Sequence, residues 1–255
     1  MALLQCDFFS HILGLSSSVN VILPESEPPV EGLKTLWLLH GLSDDHTAWR
    51  RYTSIERYAK EFGLAVIMPA VNRSFYTNAK IGGNKYWTYI SEELPSIMRK
   101  MLKLSDKRED NFVAGLSMGG YGAFKLALNC PENYICAASF SGALNVANMD
   151  LGADTNSEMK CVFGSVDEMR GDGSDLIHIL ENISDASKYP YFYQSCGTED
   201  FLYDANIKFV ESAKSAGLNI EYVEEPGDHE WGFWDRHIKL FIDKLEDLKR
   251  IRRLT

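Results

Sequence analysis

No run of about 18 apolar residues occurs in the 255-residue chain, so no membrane-spanning helix is expected. The leading stretch, MALLQCDFFSHILG, has no basic n-region and carries Asp7 early, which argues against a secretory signal. The five cysteines (Cys6, Cys130, Cys136, Cys161, Cys196) are odd in number and widely spaced. None forms a CxxC pair, so neither a zinc site nor a thioredoxin-like motif is indicated. Reduced, buried thiols favour the cytoplasm, where the sequons at Asn72 and Asn182 are chance matches. Positive charge is scarce: 26 Lys+Arg against 36 Asp+Glu leave a net charge of −10. That balance excludes nucleic acid, whose phosphates need clustered cations, and an anionic membrane surface. The one basic cluster, Lys249, Arg250, Arg252 and Arg253, ends a predicted helix, where cations complement the helix dipole. Internal repeats, low-complexity tracts and flexible linkers are also missing.

What is present is an ordinary globular composition, 45% hydrophobic and 24% charged. A chain of this length buries roughly 70–75% of its unfolded surface. It fits a single α/β domain over residues 1–255. Two strands are expected near Leu3–Phe9 and Val19–Leu23. Four short apolar runs then read as strands buried on both faces: Thr35–His40, Leu64–Pro69, Asn111–Gly115 and Ala137–Gly142. Strands at Tyr189–Cys196 and Asn219–Glu224 follow. Helices are expected at Trp49–Phe62, Ile90–Leu102, Gly119–Leu128, Leu202–Ala216 and Trp234–Ile251. Residues 146–187 read as an irregular, cap-like insertion, with a weak helical signal at Ile177–Glu181. Alternating strands and helices predict a mainly parallel sheet with helices on both faces and an antiparallel N-terminal pair at one edge. Ligands in such sheets bind beyond the carboxyl ends of the strands.

Immediately after the third buried strand stands Gly115-Leu-Ser117-Met-Gly119, a G-x-S-x-G pentapeptide. A sharp strand-to-helix turn there projects the Ser117 hydroxyl, and the small neighbours avoid clashes. The same glycines do not make a P-loop, which needs Gly-Lys-[Ser/Thr], nor a G-x-G-x-x-G dinucleotide fingerprint. A serine nucleophile needs a base within hydrogen-bond reach. The histidines after Ser117 are His178, in the irregular segment, His237, inside the last helix, and His229, in the loop after the sixth buried strand. His229 is the expected base. The acid should follow the preceding strand, where Asp200 stands at a loop-to-helix transition with Glu199 as its rival and Asp204 inside the helix. Oxyanion donors are expected from the backbone N–H of Met118 and of Leu42, the latter after His40-Gly41. His40 reads as a prop for that loop.

These motifs resemble the esterase D-like family. His40-Gly-Leu-Ser, Gly115-Leu-Ser-Met-Gly-Gly-Tyr-Gly122, Ser139-Phe-Ser-Gly-Ala143, Gly197-Thr-Glu-Asp-Phe-Leu-Tyr203 and Asp228-His-Glu-Trp231 carry the likeness, in order, over nearly the whole chain. The bacterial tributyrin esterase branch is the most similar, with S-formylglutathione hydrolases, feruloyl and acetyl-xylan esterases and mycolyltransferases as relatives. The resemblance implies an α/β-hydrolase fold and a serine carboxylesterase without cofactor or metal. It implies Ser117 as nucleophile, Asp200 as acid, His229 as base, and Leu42 and Met118 as oxyanion donors. It is weakest over about 146–187 and leaves the 70–89 loop open.

Aromatic residues cluster near the expected strand ends, and Tyr76, Trp87, Trp231 and Trp234 are the pocket candidates. No long apolar lid of the lipase kind is visible, so a short acyl chain on a small-molecule ester is expected. An acetylated or feruloylated sugar is the alternative, since Trp and Tyr stack on such rings. A thioester such as S-formylglutathione is another, and a non-catalytic binding module a third. The sequence leaves homo-oligomerisation open.

Overall fold

A computed structural model describes residues 1–148 and 153–252, with backbone alone for 153–157 and 246–252. Along the chain run β1 (Ala2–Ser10), β2 (Leu15–Leu23), β3 (Thr35–Leu39), α1 (Ala48–Tyr52), α2 (Ile55–Phe62) and β4 (Ala65–Pro69). Next come α3 (Tyr86–Thr88), continued by a π-turn at Tyr89–Glu93 into α4 (Leu94–Met101), then β5 (Asn111–Leu116), α5 (Met118–Asn129) and β6 (Cys136–Phe140). The segment before the next strand holds α6 (Ala153–Phe163), α7 (Val166–Gly171) and α8 (Leu176–Glu181). Last are β7 (Tyr191–Gly197), α9 (Tyr203–Ser215), β8 (Ile220–Glu225) and α10 (Trp231–Arg252).

The eight strands form one sheet in the order β1-β2-β4-β3-β5-β6-β7-β8. The run from β4 to β8 is parallel, while β1 and β2 pair antiparallel at one edge. This is the expected α/β-hydrolase arrangement. Period-two alternation splits each strand between two cores. Trp37, Leu39 and Val113 pack with Tyr121, Phe124 and Met98 on one face. Leu36, Leu38, Phe112 and Ala114 pack with Ile55, Ile238, Phe241 and Leu245 on the other. Strands buried on both faces need continuous apolar runs, which is why these segments were legible.

Three expectations change. The single helix expected at Trp49–Phe62 breaks at Thr53–Ser54, where the Ser54 N–H bonds Asp235 Oδ1 at 2.9 Å and the Thr53 hydroxyl serves the Ile55 N–H at 3.2 Å. The last helix starts three residues early, because the Glu230 carboxylate accepts the N–H groups of Gly232 and Phe233. Within the 146–187 segment, the described residues 146–148 and 153–187 are largely helical rather than irregular. Two of its helices are capped by side chains, α7 by a Ser165/Glu168 capping box and α8 by Asp175. Of the basic cluster, Lys249, Arg250 and Arg252 fall where backbone alone is described, and Arg253 lies outside the described residues.

Candidate active site

Ser117 is the junction of β5 and α5, with φ 52° and ψ −117°, a conformation that L-residues adopt at a cost. Its surroundings over-determine it. The Ser117 N–H bonds the Phe140 carbonyl of the neighbouring strand at 2.9 Å, and its own carbonyl accepts the N–H of Tyr121 and of Ala143, each at 3.1 Å. A Cβ on Gly115 would stand 2.3 Å from the Gly119 carbonyl oxygen, and one on Gly119 2.3 Å from that of Leu39. Backbone meets backbone at both points, so only glycine permits the turn.

His229 lies between β8 and α10. Its Nε2 stands 3.1 Å from Ser117 Oγ and its Nδ1 2.8 Å from Asp200 Oδ2. Asp200 follows β7. Its other oxygen accepts the Leu202 N–H at 2.8 Å. Burial raises the Asp200 carboxyl, but the hydrogen bond and charge of His229 outweigh this and hold it below its usual range. The rival Glu199 is turned away: it accepts the Gly227 N–H at 2.5 Å and the Thr198 hydroxyl at 2.9 Å, pinning the loop that carries His229. Asp204 sits in α9 and His178 in α8. His237 is fully buried, stacked on Phe233 and bonded to Glu225 and Tyr193.

Leu42 and Met118 flank the serine from two elements, and among the described residues neither amide donates a hydrogen bond within the protein. The turn before Leu42 is braced from below. Val71 N–H donates to His40 Nε2 at 3.0 Å, so Nδ1 carries the proton and donates to the Gly41 carbonyl at 2.8 Å. Burial pushes the His40 imidazole down to about 4 and keeps it neutral.

The serine opens onto a cavity of about 510 Å³ walled by Leu42, Asp44, Leu116, Glu230, Trp231 and Trp234. Two of the four aromatic candidates, Trp231 and Trp234, are therefore in place. Trp234 also meets the His229 ring edge-on at 4.9 Å and donates Nε1–H to Ser141 Oγ at 3.1 Å. Tyr76 and Trp87 are elsewhere. Tyr76 is completely buried and donates its hydroxyl to the His40 carbonyl at 2.8 Å, a support beneath the turn. Trp87 lies over the Lys125 ammonium at 4.9 Å. The sequence reading missed Phe201, 4.6 Å from the His229 ring, Ser141 and Asp44. Ser141 and Phe201 fall inside motifs that carry the family likeness, and Asp44 follows the Leu42 turn by two residues, which were the pointers available. Among the described residues no group of three or more His, Cys, Asp or Glu side chains is placed to hold a metal ion. No helix among them is long and apolar enough to cross a membrane.

A serine at a strand–helix elbow, hydrogen-bonded to a histidine–aspartate pair on a mainly parallel sheet, defines a serine hydrolase of α/β type. The chain belongs to the Esterase family: the family's sequence model, described as "Putative esterase", matches residues 10–245. An acetyl esterase from Caldicellulosiruptor saccharolyticus is 28% identical, over 93% of this chain and 96% of that protein. The solved structure of FphF, a fluorophosphonate-binding serine hydrolase of Staphylococcus aureus, superposes with TM-score 0.86 at 35% identity, covering 96% of this chain and 98% of that one. The apoenzyme of FrmB, an S-formylglutathione hydrolase from the same organism, gives TM-score 0.85 at 36% identity, with the same two coverages. The chain is a serine esterase, in agreement with the esterase D-like resemblance, and its substrates are small-molecule esters.

Proposed function

We propose that this esterase hydrolyses short-chain acyl esters through an acyl-Ser117 intermediate. The observation that carries the reading is the unbroken hydrogen-bonded line Asp200–His229–Ser117 at the mouth of the cavity. Ser117 Oγ attacks the ester carbonyl while His229 Nε2 takes its proton. The oxyanion is held by the Leu42 and Met118 amides, each worth about 10²–10³ in rate. Collapse expels the alcohol, which receives the proton from His229. A water molecule then gives its proton to His229 and attacks the acyl carbon, and the second collapse releases the acid and restores Ser117. Asp200 stays ionised throughout and holds Nδ1–H in line.

Trp231 and Trp234 favour one further reading of the alcohol part, an acetylated or feruloylated sugar stacked on the indoles. The name of FrmB keeps a glutathione thioester in view. The unpaired Cys6, Cys130, Cys161 and Cys196 support a reducing, cytoplasmic setting. We take the chain to act as one domain, with residues 146–187 capping the sheet.

Labelling with a fluorophosphonate probe tests the assignment. The adduct should map to the Ser117 peptide and vanish in Ser117→Ala. Labelling that persists in that variant places the nucleophile elsewhere.

A further inference from the structure

Among the described residues, the cavity at Ser117 has negative walls and no cation to balance them. Asp44 and Glu230 are carboxylates, and no Lys or Arg lines it. Glu230 is exposed, and its oxygens accept the Gly232 and Phe233 amides at 3.2 Å each, so the N-terminus of α10 matches its charge. Asp44 has no ion-pair partner among the described residues. It lies half-buried in the turn after β3. Its Oδ2 is 3.1 Å from the point a Cβ on Gly41 would occupy, and Ser117 Cβ is 3.7 Å from the same point. A carboxylate therefore lines the same cavity as the nucleophile, on the same turn as the Leu42 amide. The cations nearby are engaged elsewhere. Arg73 is bidentate to Glu158 at 2.7 Å and bonded to Ser43, and Arg51 lies over the Tyr52 ring. Burial raises the Asp44 carboxyl, its bond to the Gly41 backbone opposes this, and Asp45 adds to the rise.

A negative charge beside an oxyanion hole opposes the charge that develops there. Its presence makes sense if it sorts substrates, by repelling the wrong ones. We propose that Asp44 is a specificity-determining residue that rejects esters bearing a negative charge on the leaving group and admits neutral and cationic ones. The inference rests on the esterase reading above. At separations of roughly 6 Å in a site of intermediate polarity, one such charge changes kcat/KM by about 10–100-fold.

The test uses two acetyl esters of the same shape, neutral 4-acetoxybenzamide and anionic 4-acetoxybenzoate. Each kcat/KM is divided by the ester's own rate with hydroxide. Wild type should favour the amide by about 10-fold or more, and Asp44→Asn should shrink that ratio about 5-fold or more, chiefly by faster turnover of the anion. Raising salt to about 0.5 M should shrink the wild-type ratio by a larger factor than the variant's, which keeps only Glu230 in the wall, a readout that does not depend on the variant alone. Equal use of both esters by wild type, or a ratio that Asp44→Asn does not alter, overturns the proposal. Failure of the esterase reading looks different: neither ester is turned over, or Ser117→Ala retains the activity.

Discussion

Asp200 and Glu199 are adjacent carboxylates with divergent surroundings. One is buried against His229 Nδ1, and the other is exposed and spent on the Gly227 amide. Asp200→Asn should lower kcat by about 10⁴ with the fold intact, because the amide favours the wrong imidazole tautomer. Glu199→Gln should change kcat only a few-fold. Comparable losses in the two, measured on one ester, would reverse the assignment. Chain order and position after strands made Ser117, Asp200 and His229 legible, since the triad depends on where strands end. Tyr76 was misplaced because aromatic residues in a loop read alike whether they face a cavity or brace a turn. Only the bond from its hydroxyl to the His40 carbonyl separates the two. Asp44 gave no sign, because a carboxylate in a polar turn is an ordinary surface feature until the fold sets it beside Ser117.

Among the elements, α5 is tightly constrained at its first turn. Its first turn touches the backbone of β3 and β5, so Gly119→Ala must force Leu39 away. We expect a loss of about 1–3 kcal/mol of stability, together with lost activity, in denaturant melts and ester assays. Lys125 on the same helix is completely buried, bonded to Thr77 and Ser174 at 2.8 and 2.9 Å, and burial pushes its ammonium down to about 7. A lysine depressed by folding destabilises while the unfolded chain holds a proton the native chain releases. That penalty grows as pH falls from about 10 and is complete below about 7. Lys125→Met should therefore raise the Tm at pH 7, with the gain fading as pH rises toward 10. A gain that does not depend on pH would contradict the assignment. The helices of 146–187 were hidden by their shortness and polar composition. A capping signal was present all the same, in Ser165-Val-Asp-Glu168.

For the whole molecule, the titrations on the acid side act together, while on the alkaline side the tyrosines act against Lys125. On the acid side, burial holds His40 down to about 4 and lowers His237. Hydrogen bonds and ion pairs outweigh burial to lower Asp200, Asp172, Glu221 and Glu225. Groups depressed by folding stabilise above their unfolded values and lose that contribution as pH falls. For the histidines the loss begins near 6.5 and for the carboxylates near 4, and His40 alone accounts for ~3 kcal/mol. On the alkaline side, burial raises Tyr76, Tyr121, Tyr134 and Tyr193, whose contribution holds below about 10 and is lost above it. Thermal melts across pH should climb from the acid side through neutrality, rise further between about 7 and 10 as the Lys125 penalty fades, and fall above about 10. A maximum at the acidic isoelectric point near 5.1 would contradict this account. The sheet order was legible in outline from buried runs and their spacing. The division of the face-covering helices between two cores was not, because an apolar stripe does not say which side of a sheet it meets.

The central claim is that Ser117 carries the chemistry on short acyl esters. Hydrolysis of p-nitrophenyl esters from acetate to decanoate, with wild type and Ser117→Ala side by side, tests it most directly. The account predicts a maximum at two to four acyl carbons and a fall of roughly 10⁴–10⁶-fold in kcat on substitution. Equal activity in the two proteins, or a maximum at the long chains, would contradict it.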